Sequence, residues 1–393
     1  MPLPDDAEPL SILTLDPFHG GSHRQFTECL AEQSQHRWHL ITGKPVHWKW
    51  RMRSAPLAFA EQTLELIQQF GIPDVLFCTD MLDLPVYLGL LGNLHIQQIP
   101  KVLYFHENQW TYPVSPNRKV DNHFGYTNLL SAITADEVWF NSQFHLDDFI
   151  QGSRNFLKQM PDTRELHQLE AIEAKSSIIP PGFSTPAIVR VPAKVQTRSD
   201  AGSLCDSEIT VGWVSRWEYD KCPEAFVTLL SMLTAADINF KLILLGARPR
   251  HPVPQLKEIH DRYEQHIVHD GFANDVDDYW RLLAQMDVVV STANHEFFGI
   301  GICEAIWAGA VPIVPNRLSY KDHIQDSCRY QTLDDAANLI AHYGSSAARE
   351  PQSRLCKKHI EGMKTDNIVK QIDSHLRQLV NQKSASLKGS RHT

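Results

Sequence analysis

The stretch VVVSTANHEFFGIGICEAIWA, Val288–Ala308, carries the clearest structural signal in the chain. Val288–Ser291 is a short apolar, β-branched run of the kind that fills a strand buried on both faces. A polar loop with His295 and Glu296 follows, then Gly299 and Gly301, then an apolar helical pattern over Ile302–Ala308. A strand that passes through a short polar loop into a helix is the repeating unit of a parallel sheet covered by helices.

The same unit recurs on both sides. The second half holds strand runs at Ile209–Val214, Lys241–Leu245, Ile267–Val268 and Val311–Val314. They alternate with helical patterns at Glu224–Leu233, Gln255–Gln265 and Val276–Met286. The first half repeats the scheme, with strands at Leu10–Leu15, Trp38–Thr42, Val75–Cys78, Val102–Phe105, Val138–Phe140 and Ile178–Ile179. Its helical patterns include Ala58–Phe70 and Tyr126–Ala135. Between the halves, Pro180 to Asp206 is rich in Pro, Ser, Ala and Thr and has no period. The pattern predicts an α/β chain of two Rossmann-like domains that face a central cleft, with ligands at the C-terminal strand ends. The expected boundaries are 1–185, a linker at 186–207, and a second domain at 208–383 whose last helix has the option of packing back on the first. A basic tail, 384–393, is expected to be disordered.

Composition narrows the chemistry. The 393 residues suffice for two ordinary domains, and 42% hydrophobic content lets each bury a core. No apolar run approaches the roughly 18–20 residues that span a bilayer, and the acidic, Pro-rich start is unlike a signal peptide. Seven scattered cysteines without a CxxC pair fit reduced thiols, so a cytoplasmic protein without stable membrane association is expected. The 20 histidines show no metal-ligand spacing, and no metal is expected. A net charge of −9 means that a nucleic-acid partner needs a local basic patch. Gln33 to Ala60 supplies one: it lacks Asp and Glu but holds Arg37, Lys44, Lys49, Arg51 and Arg53, with Trp48 and Trp50 interleaved. Cations suit phosphates, and indoles suit unstacked bases. A packed Trp pair with snorkelling cations is the plainer alternative.

Four further motifs carry chemistry. Arg216 and Lys221 follow the first strand of the second half, where two cations suit a diphosphate that must be held and then leave. Glu296 in its loop and Glu304 in the following helix suit separate hydroxyl contacts, and a hydrolase acid–base pair is the alternative. Phe18–His23 (FHGGSH) places paired glycines between a strand and a helix start, which favours an anion. Finally, His106, Glu107 and Asn108 close a strand of the first half.

Together these residues resemble a known group. Glu296 to Glu304 is similar to the E-x7-E motif of family-4-like retaining glycosyltransferases of GT-B architecture, and Arg216 and Lys221 to their diphosphate clamp. FHGGSH, Trp48–Arg53 (WKWRMR), Tyr104–Gln109 (YFHENQ), Tyr112–Val114 (YPV), Gly125–Tyr126, Arg216–Glu224 (RWEYDKCPE) and His295–Gly299 (HEFFG) resemble, in order, the tRNA-queuosine alpha-mannosyltransferase family. The resemblance implies transfer of mannose from GDP-mannose to the cyclopentene diol of queuosine in a tRNA of the tRNA-Asp type, without cofactor or metal. It implies catalytic roles for His106 and Glu296. The donor residues it implies are Gly20, Gly21, Arg216, Lys221, Glu296, Phe298, Gly299 and Glu304. Ser22, His23, Trp48, Lys49, Trp50, Arg51, Arg53, Glu107 and Asn108 fall on the acceptor side. A saccharide or lipid acceptor on the same fold, or an RNA-binding module without catalysis, are the rival readings. The sequence gives no oligomeric state.

Overall fold

A computed structural model describes residues 8–92, 94–112, 121–186, 208–247 and 252–389. The chain divides into two compact units, Met1–Gly182 together with Thr365–Thr393, and Phe183–Lys364. The expected linker at 186–207 lies outside the described residues except for Pro186, as does YPV except for Tyr112.

The first unit holds six strands: β1 Ser11–Asp16, β2 Arg37–Thr42, β3 Val75–Thr79, β4 Lys101–Phe105, β5 Glu137–Phe140 and β6 Ser176–Ile178. They form one parallel sheet in the order β2-β1-β3-β4-β5-β6. β3 and β4 are buried along their whole length, which is why their sequences read as continuous apolar runs instead of alternating ones. One face is covered by helices that include Trp48–Phe70, Leu84–Leu91 and Asn122–Thr134. The other face is covered by Ser22–Gln33 and the C-terminal helix Thr365–Gly389.

That last helix belongs to the first unit, so the boundary at 383 shifts to Lys364. Its sequence explains the attachment. Ile368, Val369, Ile372, Leu376 and Leu379 recur on one helical face and are buried with Phe26 and Leu30. Asp373 accepts hydrogen bonds from the Ser34 hydroxyl (2.5 Å) and the Gln35 N–H (2.9 Å). The segment expected as a disordered tail from Ser384 is helical through Gly389.

The second unit adds β7 Ile209–Val214, β8 Phe240–Leu245, β9 Ile267–Gly271, β10 Val288–Val290, β11 Val311–Pro315 and β12 Arg329–Tyr330. These also form a parallel sheet, in the order β12-β11-β10-β7-β8-β9. The α/β class and the two parallel sheets are as the alternating pattern predicted. In each sheet the chain leaves its first strand on one side and later returns to the other. The reversal falls between β1 and β3 in the first unit and between β7 and β10 in the second. Loops leaving such paired strands diverge, and the gap at their carboxyl ends is where α/β sheets take ligands. The motifs singled out in the sequence lie there: Phe18–His23 follows β1, Arg216–Lys221 follows β7 and Glu296 follows β10.

Candidate active site

In the second unit the loops after β7 and β10 are joined by hydrogen bonds. The Asp220 carbonyl accepts from the N–H groups of Asn294 (2.8 Å) and His295 (3.2 Å). The Thr292 hydroxyl donates to the carbonyls of Lys221 (2.9 Å) and Cys222 (3.0 Å). Cys222, at φ +50°, reverses the chain from the short turn Tyr219–Lys221 into the helix Pro223–Ala235. This fixes Lys221 deep in the loop, with only 11% of its side chain exposed.

Lys221 Nζ lies 3.0 Å from carboxylate oxygens of both Glu296 and Asp220, and it donates to the His295 carbonyl at 3.0 Å. Burial disfavours its charge, but the Glu296 and Asp220 carboxylates outweigh that and hold its pKa above the usual lysine value. Burial likewise pushes Glu296 up, and the Lys221 ammonium overcomes it, leaving Glu296 below the usual range. A buried ion pair of this kind is expensive in desolvation and weak evidence for a role in stability alone. Arg216 is placed differently: it is half-exposed and 3.3 Å from Glu218. Between them, Trp217 is buried and stacks on Trp213 with ring centroids 5.2 Å apart.

Gly299 caps the helix Ile300–Ala308 at φ +89°, a conformation that favours glycine, and no side chain caps that end. A Cβ at Gly301 would stand 2.8 Å from Val214 Cγ1, so glycine lets the helix start press against the end of β7. The first-turn N–H groups of this helix thus lie beside the β7 loop, where an anion is favoured. Phe298 packs inward instead, stacked on His323 at 4.8 Å.

Glu304, the fifth residue of that helix, is buried and accepts a hydrogen bond from the Tyr279 hydroxyl at 2.7 Å. Burial raises its carboxyl to about 7, with the Tyr279 bond pulling the other way. Because the ionised carboxylate is the better acceptor from hydroxyl groups, affinity for a ligand whose hydroxyls meet Glu304 is expected to rise with pH through about 7. In Glu304→Gln that dependence should flatten, with affinity at pH 8 about tenfold weaker. The sign for folding is opposite. The folded state binds more protons than the unfolded one between the ordinary 4.5 and about 7, so this group's contribution to stability is lost as pH rises through that window. Calorimetric titration from pH 6 to 8 with GDP, the nucleotide that the resemblance implies, checks the binding prediction.

In the first unit, Gly21 (φ +56°) caps the helix Ser22–Gln33. Gly20 has a packing reason as well, since a Cβ there would meet Pro45 at 2.3 Å. Ser22 is exposed. His23 is buried and its ring stacks on that of His106 at 4.0 Å. Three residues complete this cluster: His19 of the FHGGSH motif and two that the sequence reading did not recognise, Asp16 at the end of β1 and Asp80 after β3. Asp16 and Asp80 are fully buried. The His19 ring donates to Asp16 at 2.9 Å, and Asp80 accepts the His106 N–H at 2.9 Å. Both carboxylates directly follow apolar runs, LTLD16 and LFCTD80, a signal that the sequence held.

The remaining acceptor-side residues divide. Asn108 is buried, with its amide donating to Asp148 (3.0 Å) and its oxygen accepting from Trp110 N–H (3.0 Å), so it serves the fold instead of facing a ligand. Glu107 accepts from the Gln109 amide at 2.9 Å. Trp48, Lys49, Trp50, Arg51 and Arg53 form the start of the helix Trp48–Phe70, ten residues ahead of the expected start. Trp48 packs edge-on against Phe124. Lys49 lies over both rings and 3.8 Å from Asp121, and Arg53 also lies over Phe124. Trp50 is 60% exposed. Among the described residues no group of three or more His, Cys, Asp or Glu side chains is arranged to hold a metal ion. None of the described helices is long and apolar enough to cross a membrane.

A family model described as tRNA-queuosine alpha-mannosyltransferase N-terminal matches residues 11–183, and one described as glycosyl transferases group 1 matches residues 197–329. A tRNA-queuosine alpha-mannosyltransferase of Drosophila melanogaster is 34% identical over 335 residues, covering 84% of this chain and 86% of the fly protein. Among solved structures, Anabaena HepE in complex with UDP matches with a TM-score of 0.63 at 18% identity, covering 94% of this chain and 100% of that one. Sucrose-phosphate synthase from Thermosynechococcus elongatus matches with a TM-score of 0.66 at 16% identity, covering 95% and 100%. At such identities the structural likeness speaks for the fold.

Proposed function

The chain belongs to the tRNA-queuosine alpha-mannosyltransferase family, and from that premise we propose that it moves mannose from GDP-mannose to the cyclopentene diol of queuosine with retention at the anomeric carbon. The observation that carries the donor half of this reading is the buried Lys221–Glu296 pair, held by the two loops that leave the sheet at its reversal point. Lys221 meets the diphosphate, together with the half-exposed Arg216 earlier on the same loop. Glu296 takes sugar hydroxyls, Glu304 the ribose, and the helix start at Gly299 the phosphate oxygens.

The chemistry follows from charge. As the bond from the anomeric carbon to the diphosphate oxygen breaks, negative charge grows on the diphosphate, and a preplaced ammonium stabilises it more than it stabilises the ground state. The acceptor hydroxyl forms the new bond on the same face, and its proton passes to the departing diphosphate. Positioning and charge stabilisation supply the rate in this scheme. Positive charge on the leaving group comes from the protein, so no metal is assigned a role. In the first unit the assignments follow the family resemblance: His106 to the sugar, Gly20 and Gly21 to the diphosphate, and the acceptor tRNA to the basic start of the helix Trp48–Phe70. Transfer measured with GDP-mannose against UDP-glucose, each with and without EDTA, tests the donor half. Transfer from GDP-mannose in EDTA is expected, and a strict metal requirement or a preference for UDP-glucose contradicts the scheme.

The acceptor half has its own test. Replacing Lys49, Arg51 and Arg53 with Ala is expected to weaken tRNA binding. The log–log salt dependence should flatten by roughly 0.7–0.9 for each phosphate that these cations no longer neutralise. GDP binding should not change. Filter binding across a salt series measures both, and an unchanged slope places the tRNA elsewhere.

A further inference from the structure

The cluster around His106 holds a feature that the donor and acceptor assignments do not use. His106 is fixed from both backbone sides: its N–H donates to Asp80 (2.9 Å), and its carbonyl accepts from the Asn141 amide (2.9 Å). Its ring has His23 on one face at 4.0 Å, and Phe26 meets it edge-on at 5.2 Å. His23 in turn stands 3.7 Å from Asp16. Asp16 is buried and accepts from the Phe18 N–H (3.3 Å), the Thr79 hydroxyl (3.3 Å) and the His19 ring.

Asp16 needs a positive partner, because an uncompensated charge at such depth is strongly destabilising. Among the described residues its ion-pair partners are the two imidazoles of His19 and His23. Two imidazoles stacked at 4.0 Å cannot both be charged cheaply, so the charge belongs on the ring nearer the carboxylate. We propose that His23 is a positioning residue for His106: facing the Asp16 carboxylate at 3.7 Å and stacked on the His106 ring, it fixes that ring's orientation and carries the positive charge of the pair. His106 is thereby kept neutral, able to accept or donate at its ring nitrogens toward a sugar hydroxyl. The inference rests on the reading of His106 as a residue that serves the sugar.

The surrounding groups agree in sign. His23 is disfavoured as a cation by burial, but the nearby carboxylates of Asp16, Asp80 and Glu107 outweigh this and raise it. His106 is lowered first by burial and then by the His23 charge, against Asp16, with His145 adding in the same sense as His23.

The test uses the full-length enzyme with ring-13C histidine, the His106 signal being identified by its loss in His106→Gln. In His23→Phe the stack survives without the charge, while in His23→Gln a polar group facing Asp16 survives without the ring. Losing the cation removes its repulsion while Asp16, still paired with His19, continues to attract, and this favours charging His106. Its titration should therefore move up by about one pH unit or more in both variants. The acidic limb of kcat with GDP-mannose and queuosine tRNA should move up with it by the same amount, a one-unit move lowering turnover roughly tenfold at pH values below the limb. An unmoved His106 titration in the folded Phe and Gln variants overturns the proposal, as does a purely structural loss restored by Phe at every pH. If the native enzyme transfers no mannose, the donor reading fails, while the titration still decides the coupling.

Discussion

Replacing Lys221 with Ala is expected to lower kcat by about 10²–10³-fold, a larger loss than any other single change at the site. The ammonium lies within 3.0 Å of two carboxylates and a carbonyl, so its removal strands Glu296 and Asp220 as a like-charged pair. Breaking a buried pair from one side costs about 3–5 kcal/mol, and thermal unfolding should register it. Removing Glu296 as well, in Lys221→Ala/Glu296→Gln, should restore part of the stability and none of the turnover. That split separates the structural share of Lys221 from its action on the leaving diphosphate. Lys221→Arg should remain stable yet impaired, because a planar fork cannot take the place of a point charge held by three oxygens. Native turnover in the Ala variant would remove Lys221 from the mechanism.

Glu296→Gln is the second large effect. The substitution keeps the shape and removes the charge that meets Lys221 and, in the proposed function, the sugar hydroxyls. A hydrogen bond to a charged group is worth about 1.5–3 kcal/mol, so kcat/KM should fall between roughly tenfold and a hundredfold. Lys221 retains Asp220 at 3.0 Å and stays charged, so GDP affinity should change little. Steady-state kinetics together with GDP titration distinguish this from a general loss of donor binding. If GDP affinity falls as far as turnover does, Glu296 is a support for Lys221 and has no contact with the sugar.

Much of the fold could be read from the sequence because parallel strands are buried on both faces. Runs such as VLFC in β3 and VVV in β10 have no other stable place than a sheet interior. Element ends were harder. The helix Trp48–Phe70 starts with two tryptophans and three cations, has no acid in its first turn, and contains Pro56. Local signals there argued for a loop, and packing of Met52 and Trp48 on Phe124 and Met81 decides otherwise. The C-terminal helix showed its apolar face in the sequence, but which unit that face covers depends on partners some 340 residues away. In the site, Glu296, Lys221 and Glu304 were legible as motif members. Their burial and mutual distances were not, since these depend on the loops after β7 and β10 meeting. Asn108 illustrates the converse: a polar residue after a buried strand looked available and is instead consumed by Asp148 and Trp110.

The central claim is that this chain places mannose on queuosine in tRNA. The direct measurement incubates the native protein with radiolabelled GDP-mannose and two matched tRNA preparations, one containing queuosine and one made without it. Each is digested to nucleosides and resolved by liquid chromatography and mass spectrometry. The account predicts label only in the queuosine-containing preparation, in a nucleoside heavier by one hexose residue than queuosine itself. Label in both preparations, or none in either while the protein still binds GDP-mannose, would contradict it.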